Sequence, residues 1–62
     1  MKMKDIMNLI VELSYSQGFY GRLYRDIKYM EENFPEDYEL LVEDWESQNF
    51  EDSLDFILYI EC

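Results

Sequence analysis

Apolar residues recur every three or four positions along four short segments of this chain, and that spacing is typical of amphipathic helices. The segments run from about residue 3 to 15, 18 to 32, 35 to 47 and 50 to 61. Alternation of apolar and polar residues is too weak anywhere to favour strands. The pattern therefore predicts an all-α fold, a compact bundle of three to four short helices.

The breaks between these segments carry residues that end or begin helices. Ser16 can cap the second helix through its hydroxyl. Pro35 ends the second helix, because it lacks a backbone donor, and it suits the first turn of the third. Asn49 followed by Asp52 resembles a capping box and predicts that the fourth helix opens at residue 50.

The length of 62 residues predicts one small helical domain spanning 1–62. Cys62 is the only cysteine and there is no histidine, so the chain offers no internal disulfide and no zinc site. A core this small stabilises a fold weakly unless it is packed densely or extended by another subunit. We therefore expect a homo-oligomer.

The charges are divided unevenly along the chain. All five basic residues lie in the first 28 positions, whereas twelve carboxylates and no base follow from Glu31 onward, within a net charge of −10. Such a field argues against direct binding to nucleic acid or to an anionic membrane. No apolar run reaches the roughly 18 residues of a membrane span, and no signal-peptide pattern is visible. A lone cysteine fits a reducing compartment, so we expect a cytoplasmic location.

The third segment carries the densest acidic cluster, which we call the acidic ridge. Its members are Glu36, Asp37, Glu39, Glu43, Asp44 and Glu46. Six carboxylates along roughly 15 Å of helix approach the roughly 3.4 Å charge spacing of one DNA strand. The alternative is an ordinary solvated face. Against it, acids near the helix C-terminus oppose the macrodipole and each cost on the order of 0.3–1 kcal/mol.

Three aromatic residues near the ridge are candidate anchors for a protein partner. They are Tyr38, Trp45 and Phe50. Large aromatic side chains dominate many interfaces. Trp45 also has apolar neighbours at helical spacing, Leu41 and Val42, which favour a place in the core.

The fourth segment is apolar in six of the seven positions from 54 to 60. A core-facing stripe of Leu54, Ile57 and Leu58 would leave a second apolar face outside. That second face, the predicted self-association surface, comprises Phe56, Tyr59 and Ile60. A helix that is apolar on two sides is either central in its bundle or shared with another subunit.

The second segment carries a short basic stripe of Arg22, Arg25 and Lys28. Pairs four residues apart predict ion pairs of Arg22 with Asp26 and of Lys28 with Glu32. Alternatively, an arginine of the stripe could contact the acidic ridge of a second copy. Three bases do not overcome the net charge, so the stripe does not indicate a nucleic-acid site.

Catalysis has little support in the sequence. There is no histidine, no glycine-rich phosphate loop and no calcium-binding loop, and the only thiol is the last residue. We therefore expect no enzyme activity, no catalytic residue, no metal and no cofactor.

Two short motifs carry a resemblance to known proteins. They are Ser16-Gln17-Gly18-Phe19-Tyr20-Gly21-Arg22-Leu23 and Gln48-Asn49-Phe50-Glu51-Asp52. Both resemble short, acidic, uncharacterised proteins of bacteriophages and mobile elements of Gram-positive and gut bacteria. The resemblance implies a setting in the host cytoplasm, where small phage proteins often bind and disable a host protein.

Two functions follow as expectations. The first is a small non-enzymatic inhibitor, similar to a DNA mimic, that binds a host or defence protein and occludes its basic, nucleic-acid-handling surface. The second is a homo-oligomeric assembly or regulatory module that uses the apolar fourth helix as its interface.

Overall fold

The computed structural model describes residues 1–61, and the predicted all-α bundle is confirmed. Its helices are α1 (Met3–Ser14), α2 (Gly18–Asn33), α3 (Pro35–Ser47) and α4 (Ser53–Glu61). Cys62, on which the expectations about the thiol rest, lies outside the described residues. Over the described part of the chain, no helix combines the length and apolar character needed to cross a membrane.

The helices enclose one apolar core, and no charged or polar residue among 1–61 is buried in it. Its members are Met3, Ile6, Ile10, Tyr20, Ile27, Trp45, Phe50 and Phe56. Helices α1 and α2 form the most extensive contact, and α3 packs against both. The core residues of α1 recur at three- and four-residue spacing, which explains why this amphipathic helix forms and which face it buries.

The turn between α2 and α3 follows the prediction from Pro35. The proline occupies the first position of α3, where no intrahelical donor is required. The predicted cap at Ser16 is wrong. The Ser16 hydroxyl donates to the Leu13 carbonyl, 3.1 Å away, and so supports the C-terminal end of α1. Gln17 precedes α2 without a side-chain cap.

Helix α4 begins three residues later than predicted. Asn49 has a left-handed backbone conformation, φ 55°, which turns the chain instead of starting a helix. Asp52 is the actual cap, since its carboxylate accepts a hydrogen bond of 3.0 Å from the Asp55 amide. The Asp55 carboxylate in turn accepts from the Glu51 amide at 3.3 Å. The arrangement differs from a capping box, in which the second carboxylate would accept from the amide of the cap residue itself.

Candidate acidic protein interface

The acidic ridge on α3 is mostly exposed. Glu36, Asp37, Glu39 and Glu43 are solvent-exposed. None of these four forms an ion pair within residues 1–61, where the single pair joins two other residues. Their charges are therefore available to a partner. Glu36 and Asp37 also lie in the first turn of α3, where the positive end of the macrodipole stabilises them.

Two members of the ridge are engaged within the fold. Glu46 is partly buried, and its carboxylate accepts a hydrogen bond of 2.8 Å from the Met3 amide. It thus satisfies one of the free donors at the start of α1. Asp44 is exposed, but its carboxylate accepts hydrogen bonds from the Tyr59 hydroxyl and from the side-chain amide of Gln48, both 3.4 Å long. Glu46 therefore has a structural role, which the sequence pattern of the ridge does not reveal.

The ridge is divided by one exposed leucine. Leu40 is 62% exposed, although leucine is the type of residue that a marginal core would normally use. Acids stand at the positions three and four residues before and after it, which are its neighbours on a helix surface. Those neighbours are Glu36, Asp37, Glu43 and Asp44. The surface is thus an apolar centre between two rows of carboxylates rather than a single line of charge.

The predicted aromatic anchors do not occupy this surface. Trp45 and Phe50 are buried in the core, at 6% and 8% exposure, and their rings stand edge-on to the Phe56 ring at 5.4 Å. Tyr38 is partly buried on the inner side of α3. The proposed anchoring role of Trp45 and Phe50 is therefore wrong, because burying these rings against Phe56 is what completes the core.

An exposed aromatic residue does lie at the start of the ridge. Phe34 is 52% exposed and packs against Tyr29, with ring centroids 6.1 Å apart. A shallow hollow of about 280 Å³ lies beside it, lined by Asn33, Phe34, Pro35, Glu36 and Asp37. Sequence reasoning missed Phe34 and Leu40. The available signal was that each is an apolar residue directly adjoining the acids of the third segment.

The predicted faces of α4 are reversed. Phe56 is fully buried and Ile60 packs against the core, so Phe56 cannot serve self-association. Tyr59 is 40% exposed, but its ring meets the Phe50 ring edge-on, with the centroids 5.3 Å apart. Leu54 and Leu58, expected in the core, are instead 59% and 55% exposed. The reason is that Trp45 and Phe50 offer an aromatic pocket, which Phe56 fills better than a leucine.

The basic stripe on α2 pairs differently from the prediction. Lys28 lies 3.0 Å from Glu31 and not within ion-pair distance of Glu32. Arg22 and Arg25 are exposed, and within residues 1–61 neither forms an ion pair, so the predicted pair with Asp26 is absent. The hydrogen bond to the Glu31 carboxylate raises the pKa of Lys28 above its ordinary value.

A second hollow of about 280 Å³ lies between α1, α2 and α3. Its lining residues are Met3, Lys4, Met7, Tyr24, Lys28, Glu31 and Tyr38. Burial, together with Glu31, raises the pKa of Tyr38, and burial with Glu61 raises that of Tyr20. Both phenols therefore remain neutral at physiological pH. Over residues 1–61 no cluster of three or more acidic, histidine or cysteine side chains has a metal-binding arrangement.

No family model matches the chain, and comparisons with curated proteins and with solved structures give no significant match. We therefore infer the function of the chain from the geometry of the α3 surface.

Proposed function

We propose that this chain is a non-enzymatic protein that binds a host or defence protein and inhibits it by covering a basic, nucleic-acid-handling surface. The observation that carries the proposal is the outer face of α3. There Glu36, Asp37, Glu39 and Glu43 are exposed without an ion pair among the described residues. These charges add to a negative net field whose self-repulsion destabilises a small domain. A basic partner surface would relieve that repulsion.

The exposed apolar side chains refine the proposal. Leu40 and Phe34 replace the buried Trp45 and Phe50 as the candidate anchors. A phosphate backbone presents no apolar side chain, so a pure charge mimic would not need Leu40. The proposed target surface therefore combines basic groups with an apolar depression. The charges determine the rate and salt dependence of binding, and the anchors contribute affinity.

The experiment is affinity capture from nuclease-treated bacterial lysate at low and high salt, followed by a DNA-binding assay on the captured protein. The test variant carries Glu39→Gln and Glu43→Gln. The matched control carries Glu12→Gln and Asp26→Asn, which change the net charge equally at exposed positions on α1 and α2. We expect the control to capture the same protein and block its DNA binding, and the test variant to do neither. Equal inhibition by both variants would exclude the proposal.

We propose self-association through α4 as a second function. The supporting observation is that Leu54 and Leu58, four residues apart and so on one side of the helix, are each more than half exposed. In this function the chain is an assembly or regulatory module, and its acidity maintains solubility. A cytoplasmic setting and a phage origin remain parts of the proposal.

The two functions make opposite predictions for the same pair of variants. Under the second, Leu58→Asp abolishes the complex and the Glu39→Gln, Glu43→Gln variant keeps it. Sedimentation velocity on the purified chain measures the complex directly. A complex that survives Leu58→Asp together with Leu54→Asp would exclude the α4 interface.

A further inference from the structure

Residues 50–61 form one body, which we call the C-terminal unit. The Phe50 ring meets the rings of Phe56 and Tyr59 edge-on, with centroids 5.4 Å and 5.3 Å apart. The hydrogen bond that caps α4 also lies within the unit. Because these contacts join parts of the unit to each other, they persist if the unit moves as a whole.

The C-terminal unit is attached to the other helices by aromatic packing and by side-chain hydrogen bonds. The Phe56 ring meets the Trp45 ring at 5.4 Å, and Ile60 packs against the core. The Tyr20 hydroxyl donates to the Glu61 carboxylate at 3.3 Å. Trp45 and Tyr20 belong to α3 and α2, so the site that receives the unit stays with those helices when the unit leaves.

The unit turns away from α3 at Asn49. The amides of Gln48 and Asn49 still donate to carbonyls of α3, at 3.2 Å and 3.4 Å. Among residues 1–61, Asn49 is the one residue other than glycine with a positive φ, 55°. A left-handed backbone is unfavourable for a residue with a side chain. If Asn49 adopts an ordinary helical conformation, this strain is released and the unit swings away from its own core.

We propose that two copies of this chain exchange their C-terminal units by rotation at Asn49, so that Phe56 of each copy completes the core of the other. A second copy is the occupant because it presents the same unit to the same site. Every contact between the unit and the other helices is formed again, and no new complementary surface is required. Short, strained hinges favour exchange of this kind. The exchange is reciprocal, so assembly ends at two chains.

The net charge of −10 on each copy opposes the exchanged dimer. At physiological ionic strength this repulsion is screened beyond about 8 Å, whereas the apolar contacts depend little on salt. The dimer fraction therefore rises with salt, whereas binding of a basic partner to the acidic ridge falls. The exchange goes beyond both proposed functions and does not use the outward side chains of Leu54 and Leu58.

The experiment is sedimentation velocity over a concentration series, at low and physiological salt, on the full chain and on two variants of the hinge. Asn49→Gly makes the left-handed turn easy and favours the closed monomer. Asn49→Ala makes that turn unfavourable and favours a helical hinge, and hence the exchanged dimer. Asn8→Ala removes the same side chain at an exposed position within α1 and serves as the control. Far-UV circular dichroism checks that each variant stays folded.

We expect the dimerisation constant of Asn49→Ala to exceed that of Asn49→Gly at least about tenfold, since each dimer contains two hinges. The parent and the Asn8→Ala control should lie together between them. A dimer refolded from isotopically labelled and unlabelled chains should also show contacts between Trp45 of one chain and Phe56 of the other, detected by isotope-filtered NMR. In the closed monomer these contacts lie within one chain.

Equal association of the two Asn49 variants, including the absence of a dimer from both, would overturn the inference. A dimer without contacts between Trp45 and Phe56 of different chains would overturn it too. If Asn49→Ala is unfolded, the parent is compared with Asn49→Gly, and a parent that associates no more strongly overturns the inference. The variant with Leu54→Asp and Leu58→Asp separates the two kinds of self-association. It keeps the exchanged dimer and abolishes the α4 contact of the second proposed function.

Discussion

The two halves of the core are built from different side chains, and they differ in how many side chains share the contact. Helices α1 and α2 bury mainly aliphatic residues spread along a long contact, such as Ile6, Ile10 and Ile27. Helix α4, nine residues long, buries one residue completely, Phe56. Its attachment centres on rings that meet edge-to-face, with Trp45 and Phe50 around Phe56. Ile60 and a hydrogen bond of 3.3 Å from the Tyr20 hydroxyl to the Glu61 carboxylate supplement it. A long aliphatic contact tolerates the loss of one side chain better than a contact centred on a single ring.

Phe56→Ala should have the largest effect on stability. Truncating a buried phenylalanine costs about 3–5 kcal/mol, which compares with a total of about 3–9 kcal/mol for a chain of this length. We expect this variant to be largely unfolded at room temperature by Trp45 fluorescence and circular dichroism. Ile10→Ala, the comparison from the aliphatic half at an equally buried position, should cost about 2–4 kcal/mol and leave more of the chain folded. If urea titration gives equal losses for the two variants, the contrast between the halves is wrong.

Asp52→Ala should destabilise α4 by about 1 kcal/mol, because it removes the carboxylate that caps the Asp55 amide. The comparison is Asn49→Gly, at the position expected from the sequence to cap the helix. Asn49 has a left-handed backbone that glycine adopts readily, so this change should leave stability within about 0.5 kcal/mol. A larger loss at Asn49 than at Asp52 would contradict the observed start of α4.

Glu46→Ala should cost a similar or smaller amount, about 0.5–1.5 kcal/mol, since it removes the acceptor of the Met3 amide at the start of α1. Glu43→Ala is the matched control, because Glu43 is exposed on the same helix and forms no ion pair with a described residue. Thermal unfolding of both variants separates a structural acid from one available to a partner. Equal stability of the two variants would show that the hydrogen bond from the Met3 amide to Glu46 does not stabilise the fold.

The smallest expected effect is a loss of stability at alkaline pH. The pKa values of Tyr20 and Tyr38 are raised in the fold from an ordinary value of 10.0. The unfolded chain therefore loses these protons first, and the free energy of unfolding falls as pH rises above 10. Tyr38→Phe should flatten this decline, as measured by urea titration between pH 9 and about 11. If the variant loses stability as steeply as the parent, titratable groups other than Tyr38 cause the decline.

The sequence predicted the helices better than their contacts. Local chemistry was sufficient for α1, α2 and α3, where apolar spacing and Pro35 predicted the bounds to within about a residue. It failed at the fourth helix, because Asn49 and Asp52 are both residues that cap or turn. The burial of the Phe50 ring in the core explains why the chain turns at Asn49 and why the helix is capped only at Asp52.

The acidic ridge was recognisable from the spacing of its carboxylates, and five of its six members are exposed. The sequence could not separate Glu46 from the others, because its partner is the Met3 amide at the far end of the chain. The sequence also could not indicate which aromatic residues remain outside the core. Trp45 and Phe34 are both aromatic, but Trp45 is buried against Phe56 of α4, whereas Phe34 contacts only the exposed ring of Tyr29 among the aromatic side chains of residues 1–61.

By itself, the sequence determined that this chain forms short helices, that its C-terminal half is strongly acidic and that α3 presents a dense row of carboxylates. Those properties follow from residue type and spacing along one helix. The tertiary structure alone decided that Phe56 faces the core while Leu54 and Leu58 face outward. Both sides of α4 are apolar enough to be buried, so the choice depends on the shape of the pocket formed by Trp45 and Phe50, to which residues from two other parts of the chain contribute.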